Sequence, residues 1–290
     1  MLFDPILDPH PARRIPLGTT WNGGDDLLLH RMQPLVDFVE ATPDTLARKR
    51  DGRAVIPGET IEALQRIAAT KSLLVHGVGL SIGSHDGWST DYLALLDQLF
   101  DAVPIRWHSE HLGYTRVDGL PLGTMLTLPR TGEALDLVCR RIEAIQERYP
   151  VPFLIENVVG ILPEPPSPAY GPAGFLNEIT RRTGCGLVLD VYNLECDARN
   201  QRLDLPAFFD ELDFRPVREL HIANGVERDG VLLDVHSRRT REETRQLLDL
   251  VLHRAPNVEV VVYELLPQAV QTQGHDAIID ELELLRARWS

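Results

Sequence analysis

The stretch Gly186–Asn193, with the sequence GLVLDVYN, indicates the fold of this chain more clearly than any other. It is a continuous apolar run that ends in polar residues, without the alternation of a strand that has one face in water. Such runs are typical of parallel strands that are covered on both faces. The other strand candidates are a weak one near Arg14–Gly18 and six clearer ones: Leu35–Glu40, Ser72–His76, Ile105–His111, Phe153–Asn157, Glu219–Asn224 and Val258–Glu264.

Longer amphipathic stretches between these runs predict helices. The clearest are Asp91–Phe100, Glu133–Tyr149, Arg241–His253 and Ala277–Arg288. Strands that alternate with helices imply a parallel sheet with right-handed crossovers. Eight such units in 290 residues favour a closed α/β barrel, the (β/α)₈ or TIM barrel, over an open doubly wound sheet.

We expect one domain over residues 1–290. The proline-rich stretch Leu162–Pro172 (LPEPPSPAYGP) follows a strand end, and the alternation of strands and helices resumes after it. We therefore interpret residues 162–172 as a rigid loop over the mouth of the barrel rather than a linker between domains.

Composition excludes several classes of function. The formal net charge of -14 argues against a sequence-independent nucleic-acid binder and against docking on anionic lipid. Three scattered cysteines without a CxxC motif fit a reducing compartment. No apolar run has the ~18 residues of a membrane span, and the N-terminus lacks the apolar segment of a signal peptide. We expect a cytoplasmic protein.

Metal-binding residue types gather at the ends of the predicted strands, where a parallel barrel forms its active site. Asp234 and His236 lie one residue apart between the last two strands, so in an extended segment both point to the same side. The other polar residues at strand ends are His76, Glu110, His111, Glu156, Asn157, Asp190, Asn193, His221, Asn224 and Glu264.

Each of these residues has an ordinary structural explanation when it is taken singly. Asp190 would cap a following helix, Glu156 would pair with an arginine, and Glu110 and Asn157 would orient imidazoles. About nine such side chains on one rim are harder to explain singly, because buried carboxylates at that density repel one another unless a cation compensates them. The sequence therefore predicts a metal site.

The types of ligand atom limit which metals would bind, but they do not decide which reaction follows. Imidazoles and carboxylates without thiolates suit iron, manganese or zinc, and nine donors suit two or three ions with Glu156 as a bridge. A set of this kind binds O₂ at ferrous iron or activates water for hydrolysis.

Seven motifs follow one another along the chain: HGVGLSIGS (76–84), SEHLGY (109–114), ENV (156–158), TGCGLVLDVYN (183–193), HIAN (221–224), LDVH (233–236) and VYE (262–264). In this order they resemble the multinuclear non-haem iron-dependent oxidative enzymes, the group that contains the methanobactin-forming oxidase. The resemblance extends from about Pro16 to Pro267.

The resemblance implies a xylose-isomerase-like barrel with two or three irons that uses O₂ to oxidise residues, often cysteine, in ribosomally made precursor peptides. It also implies a small partner protein that captures the peptide leader. Carried over to matching positions, it implies His76 and His111 for one iron with Glu156 bridging, Asp190, His221 and Glu264 for a second, and Asn193, Asp234 and His236 for a third. We take Glu110, Asn157 and Tyr192 as candidate catalytic residues beside them.

The chain departs from the family pattern around the expected substrate. The family's SDHL is SEHL here, which makes Glu110 one methylene longer, and Tyr192 replaces an Asn. An Asn-His-Gly element gives way to ARNQ (198–201), and HIANG (221–225) lacks the second histidine of HLAGH. Besides a peptide oxidase, two hypotheses therefore stay open: a zinc- or manganese-dependent hydrolase or isomerase of a sugar or phosphoester, and a non-catalytic metal-binding barrel.

Overall fold

The computed structural model of the chain describes residues 14–162 and 168–289. Residues 163–167 of the proline-rich loop, and residues 1–13, in which no signal peptide was expected, lie outside the described residues. The strands are β1 (Leu17–Trp21), β2 (Phe38–Ala41), β3 (Arg48–Arg50), β4 (Arg53–Val55), β5 (Ser72–Gly77), β6 (His108–His111), β7 (Gly113–Val117), β8 (Leu120–Thr127), β9 (Phe153–Glu156), β10 (Gly186–Asp190), β11 (Val217–Ile222), β12 (Val226–Arg228), β13 (Val231–Leu233) and β14 (Val260–Tyr263).

Helices follow most of the barrel strands. They are α1 (Asp26–Met32), α2 (Pro43–Leu46), α3 (Gly58–Ala68), α4 (Thr90–Ala102), α5 (Gly132–Arg148), α6 (Pro172–Thr183), α7 (Val191–Asn200), α8 (Leu205–Glu211), α9 (Glu242–Arg254), α10 (Pro267–Gln273) and α11 (His275–Arg288). Among the described residues, none of these helices combines the length and apolar character needed to cross a membrane.

Eight parallel strands close the barrel that the sequence predicts. Their order is β1-β2-β5-β6-β9-β10-β11-β14, and β14 pairs with β1 to complete the circle. The weak first strand expected at Arg14–Gly18 is β1, displaced to Leu17–Trp21. The closed barrel confirms the predicted fold class.

Several predicted strands are shorter than expected, and the stretch from Gly186 shows why most clearly. The run Gly186–Asn193 is strand only to Asp190, and α7 begins at Val191. Asp190 is the N-cap of α7, and its Oδ1 accepts a hydrogen bond of 2.7 Å from the backbone N–H of Asn193. This side-chain cap starts the helix although the residues after it are β-branched and aromatic, which favour strands.

The inside of the barrel changes from apolar to polar along each strand. Its lower layers form a cluster separate from the main core, made of Phe38, Leu74, Trp107, Leu154, Val188, Val260 and Val262. Because side chains on one face of a strand recur every second residue, the next inward positions lie directly above this cluster. These positions hold Thr20, Glu40, His76, Ser109, Glu156, Asp190, Glu219, His221 and Glu264.

Three antiparallel hairpins, β3–β4, β7–β8 and β12–β13, follow barrel strands β2, β6 and β11 at the end where the polar layer lies. The β7–β8 hairpin is held by the exit loop of β5. Ser84 Oγ donates to the carbonyl of Arg116 at 2.7 Å, and Ser81 Oγ accepts from the N–H of Thr115 at 2.8 Å. The stretch HGVGLSIGS therefore leaves β5 as a loop that anchors this hairpin.

Candidate metal centre

Glu156, the last residue of β9, lies between three imidazoles. Its Oε2 is 3.1 Å from Nε2 of His76 and 3.2 Å from Nε2 of His111. Its Oε1 is 3.2 Å from Nδ1 of His221. Neither oxygen has a hydrogen-bond partner among the described residues. The two oxygens of one carboxylate thus face two separate groups of nitrogen donors.

His76 and His111 present Nε2 to Glu156 because their Nδ1 atoms are engaged elsewhere. Nδ1 of His111 lies 2.8 Å from the carbonyl of Gly77, which can only accept, so this Nδ1 carries a proton. Nδ1 of His76 lies 2.9 Å from Oγ of Ser109, which donates to the Val75 carbonyl. In each ring Nε2 is therefore the nitrogen that is available to a metal.

His221, on β11, is fully buried among four carboxylates. Its Nδ1 lies 3.1 Å from Oε2 of Glu264, besides the contact with Glu156. Its Nε2 lies 3.3 Å from Oε2 of Glu40 and 3.4 Å from Oε1 of Glu219. One imidazole therefore connects two carboxylate pairs, one toward the mouth of the barrel and one toward its floor.

Asp190 and Asn193 are held beside this group by Asn157. The Asn157 side chain donates to the Asp190 carbonyl at 3.0 Å and accepts from the Asp190 N–H at 2.8 Å. The Asn193 side chain donates to the carbonyl of Asn157 at 3.0 Å. Oδ2 of Asp190 and Oδ1 of Asn193 are buried without a hydrogen-bond partner in the described chain. Asn157, a predicted catalytic residue, thus makes the contacts of a positioning residue.

Asp234 and His236 follow the β12–β13 hairpin. His236 Nε2 lies 2.5 Å from Oδ1 of Asp234, and His236 Nδ1 lies 3.3 Å from Oε2 of Glu264. The backbone of His236 has φ of +43°, in the left-handed region, so the segment is not extended as expected. The structure nevertheless places the two side chains together and connects them through Glu264 to His221.

Glu110 points away from this centre. It is the neighbour of His111 on β6, and successive residues of a strand face opposite sides. Its Oε1 lies 3.3 Å from Nε2 of His108 and against Gly77, where a Cβ would come within 1.8 Å of it. Burial, with the nearby Asp44, raises the pKa of Glu110 well above its usual range.

Tyr192 also lies outside the group of imidazoles. It is buried in a small apolar cluster with Val159, Cys196, Ala223 and Leu232. Its hydroxyl lies 3.5 Å from the carbonyl of Leu233, beneath the β12–β13 hairpin.

Two buried carboxylates of the centre are absent from the predicted ligand set, Glu40 and Glu219. Glu40 is the final residue of the run LVDFVE, so its place at a strand end was available as a signal. Glu219 lies two residues before His221 and therefore shares its inward face. Glu40 forms one of three potential metal-binding groups in the described chain, together with His76 and His221.

The other two groups contain predicted ligands alone. In each group the donor atoms lie within 4.8 Å of one another, and the members are His76, His111 and Glu156, and then Glu156, Asp190, His221 and Glu264. Lone pairs that face one another in a buried site repel unless a cation lies between them. The donors are imidazoles and carboxylates, which suit iron, manganese or zinc. These residues fit a metal centre with more than one ion.

Protons compete for the same donors. Burial by itself would lower the pKa of His76, but the carboxylates of Glu156 and Glu40 together outweigh burial and raise it to about 10. Burial would raise the pKa of Glu264, but His236 and His221 hold it well below its usual range. Burial, and then Glu156, raises the pKa of Asp190 well above normal. Metal binding must therefore displace protons.

Residues 17–278 match the model of the family described as "RiPP precursor modification enzyme MbnB/TglH/ChrH", where RiPP denotes a ribosomally synthesised and post-translationally modified peptide. A UPF0276 protein of Rhizorhabdus wittichii is 32% identical over 259 residues, which cover 87% of this chain and 86% of that protein. A UPF0276 protein of Caulobacter vibrioides is 29% identical over 258 residues, with 89% and 88% covered.

Solved structures share the fold at low identity. Endonuclease IV from Thermus thermophilus superposes with a TM-score of 0.58 at 15% identity and covers 94% of this chain and 98% of that one. D-psicose 3-epimerase from Clostridium cellulolyticum gives a TM-score of 0.56 at 12% identity, with 94% and 96% covered. The fold is a xylose-isomerase-like TIM barrel.

Proposed function

This chain belongs to the RiPP precursor modification enzyme MbnB/TglH/ChrH family, and on that premise we propose that it is a multinuclear iron-dependent oxidase. Its substrate is a ribosomally synthesised precursor peptide, its oxidant is O₂, and the residue that it modifies is a cysteine. Family membership supports the peptide substrate. The iron, the oxidant and the target residue rest on the donor set and on the resemblance of the motifs.

The position of Glu156 carries the proposal of several ions. Its two oxygens face different nitrogen donors, with His76 and His111 on one side and His221 on the other. A carboxylate that bridges two ions presents its oxygens in this way, whereas a carboxylate bound to a single ion directs one or both oxygens at the same place.

The surrounding residues divide among the ions. His76 and His111 would hold one ion with Glu156, and Asp190, His221 and Glu264 would hold a second. Asn193, Asp234 and His236 would hold a third. Ferrous iron held by these residues would supply O₂ binding and electron transfer.

The chain's own residues orient the ligands and limit the access of water. Glu156, Asp190 and His221 are fully buried, whereas the side chain of His111 is 16% exposed and that of Asp234 is 27% exposed. The centre is therefore open to solvent between the end of β6, at His111, and the segment after β13, at Asp234. We propose that the peptide enters there, and that a small partner protein holds its leader.

Anaerobic reconstitution tests the proposal. Purified protein is loaded with Fe(II) and mixed with a cysteine-containing precursor peptide encoded beside it, together with any small protein encoded there. O₂ is then admitted, and the peptide is followed by mass spectrometry. We expect an O₂-dependent mass change at cysteine that is lost in Glu156→Gln and kept in Glu259→Gln, which alters a carboxylate paired with Arg106 and Arg218 on the surface.

Two results would contradict the proposal. Protein purified without added metal that contains zinc or manganese and little iron would favour the hydrolase or isomerase. Full iron occupancy without consumption of O₂ would favour a non-catalytic metal-binding barrel.

A further inference from the structure

The carboxylates of Glu40 and Glu219 lie on the floor side of His221, opposite its contacts with Glu156 and Glu264. All three side chains are fully buried. Two buried carboxylates within 3.4 Å of one nitrogen are costly unless that nitrogen provides a proton or shares a cation with them. The fold therefore holds Glu40 and Glu219 together although their mutual repulsion is unfavourable.

Both carboxylates are fixed from behind by groups that donate hydrogen bonds. The indole N–H of Trp107 donates to Oε2 of Glu219 at 2.8 Å, and the hydroxyl of Thr20 donates to Oε1 of Glu40 at 3.3 Å. In each case the other oxygen lies 3.3–3.4 Å from Nε2 of His221, and none of these three buried atoms has a hydrogen-bond partner in the described chain. The Trp107 ring belongs to the packed floor of the barrel, so the position of Glu219 is set by the core itself.

We propose that Glu40 and Glu219 are positioning residues that keep a proton on Nε2 of His221 and thereby present its Nδ1 to the metal centre. His76 and His111 present Nε2, because a hydroxyl and a carbonyl engage their Nδ1 atoms. His221 is turned the other way, with the carboxylates at Nε2 and with Glu156 and Glu264 at Nδ1. A carboxylate that accepts the far N–H of a metal-bound imidazole orients the ring and makes it a stronger donor.

This inference rests on the proposed metal centre and extends it to residues outside the predicted ligand set. The first test measures metal affinity rather than turnover. Metal-free wild type, Glu40→Gln and Glu219→Gln are titrated anaerobically with Fe(II), with a coloured chelator as competitor. We expect each variant to fold and its metal affinity to fall by about tenfold or more, because an amide is a weaker acceptor than a carboxylate.

Glu281→Gln is the matched control. Glu281 is as buried as the other two, but it accepts from Thr240 and Arg239 away from the centre. Its substitution is expected to lower stability and to leave metal affinity unchanged. Wild-type affinity in both Glu40→Gln and Glu219→Gln would overturn the proposal. So would the loss of one ion per chain with unchanged affinity for the rest, because the carboxylates would then be ligands themselves.

A second measurement needs no change at Glu40 or Glu219. Long-range ¹H–¹⁵N spectra of Zn(II)-loaded protein with ¹⁵N-labelled histidine distinguish imidazole bound through Nδ1 from imidazole bound through Nε2. In a His236→Gln background we expect one ring bound through Nδ1, and only Nε2-bound rings would overturn the proposal. If no metal binds to wild type in either experiment, the proposed function fails; if metal binds with Nε2 of every ring, only this inference fails.

Discussion

At the scale of single residues, the side chains of β6 show how one strand serves two environments. Ser109 and His111 face the centre, whereas His108 and Glu110 face the helices. His108 packs against Phe153, with ring centroids 5.1 Å apart. Burial, and then His76, lowers the pKa of His108 to about 3, so the ring is neutral in the folded protein.

The low pKa of His108 predicts a loss of stability in acid. Unfolded histidine takes up a proton below about pH 6.5, whereas folded His108 does not until about pH 3. The unfolded state therefore binds more protons in this range, and the free energy of unfolding falls as the pH falls. Below about pH 6.5, the free energy of unfolding of His108→Gln should therefore rise relative to that of the wild type by about 1.4 kcal/mol for each unit by which the pH is lowered.

Urea unfolding of metal-free protein between about pH 4 and pH 6.5 measures this difference. A difference between variant and wild type that stays constant over this range would mean that His108 takes up its proton in the folded state as well.

At the scale of elements, Asp190 joins the end of β10 to the start of α7. One carboxylate oxygen caps the helix, and the other is buried without a hydrogen-bond partner in the described chain. The two roles are separable by substitution, because Asn is as good an N-cap as Asp but a poorer metal ligand.

We expect Asp190→Asn to keep the stability of the metal-free protein within about 1 kcal/mol and to bind fewer ions per chain. Asp190→Ala should lose the ions and also about 1 kcal/mol of unfolding free energy. Urea unfolding and elemental analysis measure the two effects. Asp204→Ala, which removes the N-cap of α8, should lose stability alone; equal metal content in all these variants would exclude Asp190 as a ligand.

The β7–β8 hairpin provides a second prediction at this scale. Ser84→Ala removes a hydrogen bond to the Arg116 carbonyl and another to Ser81, at 2.7 and 2.6 Å. We expect the free energy of unfolding to fall by about 1–2 kcal/mol and the amides of β7 and β8 to exchange hydrogen faster. Ser89→Ala removes the N-cap of α4 nearby and should leave that exchange unchanged. Slow hairpin exchange in Ser84→Ala would show that the loop is not its anchor.

At the scale of the whole molecule, the apolar floor and the closed sheet of the barrel stabilise a fold whose polar centre is unfavourable by itself. The centre concentrates carboxylates in a protein that already has a formal net charge of -14. Cations should therefore stabilise the folded state more than the increase in ionic strength alone would do.

We expect Fe(II), Mn(II) or Zn(II) to raise the midpoint of thermal unfolding. At a free metal concentration 100 times the Kd, mass action adds about 2.7 kcal/mol for one ion. Scanning calorimetry under anaerobic conditions measures the shift. Mg(II) at the same ionic strength is the control, because it prefers all-oxygen sites; equal shifts with all four metals would indicate screening rather than a built site.

The sequence by itself determined the barrel, because continuous apolar runs between amphipathic helices have few other ways to bury both faces. It also determined which residue types gather at the rim, since parallel strands end together. Tertiary structure alone decided which neighbour faces inward, as at Glu110 and His111, because the pleat of a strand sends adjacent side chains apart. It also brought Glu40 and Glu219 to His221, since contacts across the barrel depend on its closure and register rather than on spacing along the chain.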